Sequence, residues 1–257
     1  MAVHSGGVAP MTDVKVRREN DQHPWDRFDS EAYFKKNYAS MRDDDRQILQ
    51  RMAQFFSSRL EPGPRRYGLD VGPGTNLYPA LTMLPFCESI FLWERSLPNI
   101  TWLRAETEKF RPSWDAFWGQ LNRFRKGRAQ GDPRLRLARS ARLCRGSIFD
   151  LPVHSWDMGT MFFVAESITS DYVEFREATQ AFVRSLKPGA PFVAAFMEES
   201  KGYRVGSYDF PAVPVTIDDI RECLSDVADS TVERIISDDP PLRDGYSGML
   251  LALGQAR

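Results

Sequence analysis

Three observations predict an α/β fold: short apolar strands alternate with amphipathic helices, a glycine-rich turn closes the first strand, and the last two strands have no helix between them. The alternation gives a mostly parallel sheet covered on both faces, and the final pair must then run antiparallel. At 257 residues the chain can bury a large core without disulfides or a metal.

Residues 1–22 are polar and glycine-rich and read as a mobile tail, ahead of one domain at 23–257. Order is expected from Trp25-Asp26-Arg27-Phe28 onward, with a helical cap over 23–64. Within that cap Tyr33, Phe34 and Tyr38 cluster on a turn or two. Ile48, Leu49, Met52, Phe55 and Phe56 then recur at helical spacing until Pro62 and Pro64 end the helix. Tyr67–Val71 reads as a buried strand, followed by the glycine turn and a helix begun by Asn76-Leu77-Tyr78. Ser89–Trp93 is a second strand ending at Glu94, and a helix covers about Asn99–Lys109. Met158–Val164 is a strand and Tyr172–Leu186 a helix, stopped by Lys187-Pro188-Gly189. Pro191–Met197 is the next strand and Ile217–Leu224 the last helix. Strands near Thr231–Ile236 and Met249–Leu253, joined through Ser237-Asp238-Asp239-Pro240-Pro241, close the chain.

A basic helical insert is expected at about 110–143. From Arg123 to Arg145 there are nine Lys or Arg residues and one acid, Asp132. A nucleic-acid groove needs interleaved aromatic platforms, and only Phe124 is present, so a solvated helix face is the expectation. The near balance of 34 basic and 35 acidic residues also argues against a dedicated nucleic-acid binder. No apolar run approaches the ~18 residues of a membrane span, and the N-terminus lacks a secretory pattern. Cys87, Cys144 and Cys223 form neither a CxxC pair nor a Cys/His cluster. A cytoplasmic protein with reduced cysteines, no membrane partner and no metal is expected.

The chemistry concentrates in Asp70-Val71-Gly72-Pro73-Gly74-Thr75-Asn76. A strand delivers this loop to the carboxyl edge of the sheet, where open α/β folds bind ligands. Gly72 and Gly74 allow backbone to approach a ligand closely, and Asp70 lies where a sulfonium-bearing amino acid would sit. Glu94 ends the next strand about twenty residues on, the place for an acid that grips both ribose hydroxyls. A dinucleotide is disfavoured, because Leu77 stands where the third glycine of that fingerprint belongs and Pro73 lacks an N–H. These features together point to S-adenosyl-L-methionine.

The sequence from about Phe28 to the C-terminus resembles the small-molecule methyltransferases that include nicotinamide, phenylethanolamine and indolethylamine or thioether methyltransferases. Three segments carry the resemblance: Tyr33-Phe34-Lys35-Lys36-Asn37-Tyr38, Asp70 through Tyr78, and Glu94-Arg95-Ser96-Leu97-Pro98-Asn99. It implies a Rossmann-like class I methyltransferase sheet with an N-terminal helical lid. It also implies that Tyr33 and Tyr38 close over the cofactor, that Tyr78 lies near its methionine end, and that Glu94 and Asn99 hold the ribose. Ser147 and Ile148 would flank the adenine, with Ser147 where the family usually has Asp. Glu166 falls on an acid found near the cofactor. The family's amine-binding acid at the end of the Val193–Met197 strand is replaced by Phe196, with Glu198 and Glu199 just beyond, while Ser200 and Tyr203 match polar pocket positions.

Methyl transfer from a sulfonium needs alignment and exclusion of water more than a strong base. His4, His23 and His154 are not placed for catalysis, which leaves Tyr33, Glu166, Glu198, Glu199 and Tyr203 as the candidate catalytic groups. Phe162 and Phe163 read as core, whereas Trp25 and Tyr208 sit where they can cover a pocket mouth. The leading expectation is methylation of a small aromatic or heterocyclic metabolite, with nitrogen favoured over oxygen, carbon or sulfur. An RNA or protein methyltransferase using the 123–145 segment, and a non-catalytic protein that binds the cofactor, stay open as alternatives.

Overall fold

The computed structural model describes residues 18–63, 65–124, 131–243 and 245–257. The expected tail therefore falls mostly outside the described residues, as does the middle of the basic stretch.

The chain starts with two short 3₁₀ turns, Glu19–Gln22 and Trp25–Arg27, so regular structure begins earlier than Trp25. Helix α1, Ser30–Asn37, is capped by the Asp29 carboxylate, which accepts the Ala32 N–H at 2.9 Å. Helix α2, Asp43–Arg59, buries Ile48, Leu49, Met52, Ala53 and Phe56 along one face. The expected cap thus divides in two. Residues up to Tyr38 reach the cleft described below, while α2 belongs to the helical layer packed on the sheet.

Strand β1, Arg66–Val71, leads through the glycine turn to the six-residue helix α3, Tyr78–Met83. Strand β2, Cys87–Glu94, is followed by α4, Leu97–Lys109, α5, Ser113–Phe124, and α6, Pro133–Ser140. Strand β3, Ala141–Arg145, then pairs in parallel with β2. The region read as a helical insert thus ends in an edge strand whose exposed Arg142 and Arg145 hide it from a hydrophobic pattern. Next come β4, Met158–Phe162, α7, Tyr172–Ser185, and β5, Pro191–Glu198. A small hairpin, β6 (Tyr203–Val205) with β7 (Tyr208–Phe210), precedes α8, Ile217–Ser225, and the final strands β8, Ala228–Ile235, and β9, Gly248–Ala256.

Seven strands form one sheet in the order β3-β2-β1-β4-β5-β9-β8. All pairings from β3 to β5 are parallel, and β9 runs antiparallel to both β5 and β8. The expected antiparallel C-terminal pair is present, with the last strand inserted between β5 and β8. Strand β5 is buried along its whole length and alternates between the two core layers. Val193, Ala195 and Met197 face the layer of α2 to α5, whereas Phe192, Ala194 and Phe196 face α7 and α8. From β1 the chain order runs outward through β2 and β3 on one side and through β4 and β5 on the other. That makes the carboxyl ends of β1 and β4 a topological switch point, where such sheets open a crevice.

Candidate active site

An open cleft of about 760 Å³ lies at this switch point, between the β1, β2 and β4 strand ends and the N-terminal segment. One end is polar and made largely of backbone. Gly72 leaves β1 with φ +57°, and its N–H donates to the Trp93 carbonyl at 2.8 Å. A Cβ at Gly72 would stand 2.7 Å from Val164, so both conformation and space demand glycine there. Gly74, also at positive φ, donates its N–H to Glu94 Oε2 at 2.9 Å. The other oxygen of Glu94 accepts the Ser96 N–H at 2.7 Å. Only 6% exposed, this carboxylate has its pKa raised by desolvation despite those donors. Each oxygen keeps acceptor capacity toward the cleft that it lines.

Asn99 also lines this end, its Oδ1 accepting the Ser30 hydroxyl at 2.7 Å and so joining α4 to α1. Thr75 and Asn20 line the cleft as well, and Thr75 Oγ1 and Asn20 Oδ1 are buried without a hydrogen-bond partner among the described residues. Unsatisfied buried polar atoms are costly, so groups of this kind are accounted for when a polar ligand completes them. The strap 18–28 lies over this end. Glu174 on α7 accepts the Asn20 N–H at 3.1 Å, and the Ser96 hydroxyl donates to the Trp25 carbonyl at 2.7 Å.

The other end is aromatic, with Phe28, Tyr33, Phe162, Phe163 and Tyr203 around it. Phe163 adopts φ +58°, a left-handed conformation that ends β4 before Val164 and turns its ring to the cleft. The Phe28 and Tyr33 ring centroids are 5.1 Å apart, and those of Tyr33 and Tyr203 are 6.2 Å apart. Tyr203 stacks on Phe210 and donates its hydroxyl to the Ser167 carbonyl at 3.3 Å.

The structure thus brings Tyr33, Tyr38, Gly72, Gly74, Thr75, Glu94, Asn99, Ile148 and Tyr203 to one cleft. The remaining predicted residues lie elsewhere. Asp70 is 1% exposed beneath the loop, with Oδ1 accepting the Thr160 hydroxyl at 2.8 Å. Burial, helped by the nearby Glu94, pushes its carboxyl up to about 8. Asn76 Oδ1 accepts the Tyr78 N–H at 3.1 Å, and the Tyr78 ring stacks on Phe117 in the core. Ser147 accepts the Trp93 indole N–H through its carbonyl, while its hydroxyl caps the turn Ile148–Asp150. Glu166 is fully buried behind the β4 end. Its Oε1 accepts the Met197 N–H at 3.0 Å and the Ser167 hydroxyl at 3.1 Å, and burial raises its pKa to about 7. Glu198 is buried and paired with Arg234 from β8, with Nε 2.6 Å from Oε2. Glu199 is exposed on the following turn at φ +58°. Phe196, at the position of the family's amine-binding acid, is buried against Phe175 on the far face of the sheet. Trp25 lines the cleft, while Tyr208 lies outside it and accepts a hydrogen bond from Arg27.

Two residues, one in the cleft and one beside it, escaped the sequence reading. Asn20 sits in a segment without periodicity, and Arg243 sits in the turn-rich β8–β9 connection. Arg243 reaches across to bond Tyr33 and Ser167, and no spacing in the sequence announces it.

Sheet order and switch-point cleft define a class. The chain has the architecture of the class I S-adenosylmethionine-dependent methyltransferases, and the glycine loop, Glu94 and the orphaned Thr75 and Asn20 oxygens fit that cofactor. No family model matches the chain. Among individual proteins, it is 25% identical over 246 residues to the phenylethanolamine N-methyltransferase of Macaca mulatta, covering 86% of this chain and 84% of that protein. The Mus musculus enzyme of the same name is 25% identical over 224 residues, covering 78% and 74%. In fold, the CcbJ methyltransferase of Streptomyces caelestis superposes with TM-score 0.57 at 11% identity, over 92% of this chain and 99% of that one.

Proposed function

We propose that the protein transfers a methyl group from S-adenosylmethionine to a small, flat aromatic or heterocyclic acceptor. The observation that carries this reading is the two-ended cleft, with Glu94 and the glycine loop at one end and aromatic walls at the other. The likeness to N-methyltransferases of a small amine favours a nitrogen acceptor. The cofactor, when bound, supplies a methyl group activated by sulfonium, so the protein's own work is placement.

Glu94 and Asn99 would hold the ribose, Ile148 and Trp93 would bracket the adenine, and Thr75 would complete the polar shell. Tyr33 and Tyr38 line the cleft, where they would exclude water from the reacting pair. Glu94 is the one carboxylate among the described residues that line the cleft, and it belongs to the nucleoside end. Glu166 lies behind the wall and clamps the β4 end to β5 through Met197 N–H, a positioning role. The described basic residues of the 123–145 stretch are partly tied within the fold. Arg134 bonds Asp115 and Arg145 bonds Asp26, so a nucleic-acid groove draws no support from them.

Calorimetric titration with S-adenosylmethionine and S-adenosylhomocysteine tests the cofactor, with micromolar binding expected. A radiolabelled-methyl screen across aromatic heterocycles, amines and acids tests the acceptor. Tight cofactor binding without any turnover would favour a non-catalytic binder instead.

A further inference from the structure

Arg243, in the connection between β8 and β9, packs its side chain against Tyr33 and Tyr203, two of the residues that line the aromatic end of the cleft. Its guanidinium carbon stands 4.0 Å from the Tyr203 ring centroid. Nη1 donates to Ser167 Oγ at 3.0 Å and to Ser200 Oγ at 3.4 Å, and Nη2 donates to Tyr33 Oη at 3.3 Å. All three partners are neutral hydroxyls. Among the described residues no Asp or Glu oxygen lies within ion-pair distance of this partly buried cation. Glu166 attracts it at longer range and is joined to it by hydrogen bonds through Ser167, whose hydroxyl donates to Glu166 Oε1. Burial raises the Glu166 pKa to about 7, against the opposing pull of the Arg243 charge.

A guanidinium carries five N–H groups, and three are used. Nε–H and one Nη2–H are left without a partner among the described residues, and free guanidinium N–H groups bind carboxylates through charge-assisted hydrogen bonds. Location then decides which ligand is met. The nucleoside end is built on β1, β2 and the turn after β3, whereas Arg243 is held by residues that follow β4 and β5. The two tyrosines it touches line the aromatic end.

We propose that Arg243 sets acceptor specificity by binding a carboxylate, or a comparable planar oxyanion, carried on the aromatic or heterocyclic acceptor. The inference rests on the methyl-transfer reading and narrows it: the acceptor is an aromatic acid rather than a free amine. It agrees with Phe196 occupying the place of the amine-binding acid.

The test uses the full chain loaded with S-adenosylhomocysteine and titrates benzoate, 4-hydroxybenzoate and indole-3-carboxylate against their matched carboxamides. The acids are expected to bind at least about tenfold tighter than the amides, with an affinity that falls as salt rises. Arg243→Gln should erase this preference while leaving S-adenosylhomocysteine affinity within about twofold, and Arg243→Lys should restore only part of it. Equal binding of acids and amides by the wild-type chain overturns the proposal without recourse to any variant. An equal loss of S-adenosylhomocysteine affinity in Arg243→Gln also overturns it, by assigning the arginine to the cofactor's own carboxylate. Failure of the wild-type chain to bind S-adenosylhomocysteine removes the methyl-transfer reading itself. Cofactor binding without acid preference removes only the role of Arg243.

Discussion

At the polar end of the cleft the walls are mainly backbone, held by Glu94 between the Gly74 and Ser96 N–H groups and by Gly72 against Trp93. At the aromatic end they are side chains from four separate segments, Phe28, Tyr33, Phe162 with Phe163, and Tyr203, with Arg243 packed behind the two tyrosines. Backbone walls tolerate few substitutions, because a turn that needs positive φ and a close approach leaves no room for repacking. Side-chain walls keep the fold while their chemistry changes, which is how one architecture accommodates different acceptors. The two ends therefore should respond differently to mutation.

The largest effect is expected at Gly72. Gly72→Val combines an unfavourable φ with a clash against Val164 and should destabilise the protein by ~3 kcal/mol and abolish S-adenosylhomocysteine binding. A thermal melt and a titration check both. If binding survives at wild-type strength, the loop is not the rigid cradle described. Next, Glu94→Ala should weaken binding by about 2–4 kcal/mol, since it removes a charged acceptor and orphans two backbone donors. Unchanged affinity in calorimetry would sink its ribose role.

A smaller effect concerns pH. The Asp70 carboxyl is raised from 3.8 in the unfolded chain to about 8 when folded, so the folded state favours its neutral form. The associated stability is complete below about pH 4 and is lost as pH rises toward 8. Asp70→Asn should flatten that decline in a series of denaturant melts; an unaltered pH slope would mean the group titrates normally. The smallest effect on the site is expected from Glu198→Gln, which weakens the pair with Arg234. It should lower the melting temperature yet leave S-adenosylhomocysteine affinity within about twofold, because the pair lies outside the cleft. A large loss of affinity would return Glu198 to the functional site.

The elements that the sequence misplaced share a cause. Strand β3 carries Arg142 and Arg145 on an exposed sheet edge, so its half-polar pattern resembles the basic helix before it. The β6–β7 hairpin is only three residues per strand, too short for alternation to register. Strand β4 stops at Phe162 because Phe163 turns left-handed, and an apolar run gives no sign of a backbone turn within it. The carboxylates of Glu198 and Glu199 looked catalytic by proximity to a strand end. A single-residue change of register sends one to Arg234 and the other to solvent.

By itself the sequence determined the alternating sheet, its antiparallel finish and the residues that meet at the polar end of the cleft. Those features rest on local periodicity and on residues adjacent along the chain, such as the glycine loop and Glu94 with Asn99. Only the tertiary structure decided which acids stay in the core, that the strap from Arg18 crosses the cleft, and that Arg243 meets Tyr33. The reason is physical: burial and hydrogen-bond partners come from contacts across the sheet, and residues 33 and 243 become neighbours only when β9 inserts beside β5.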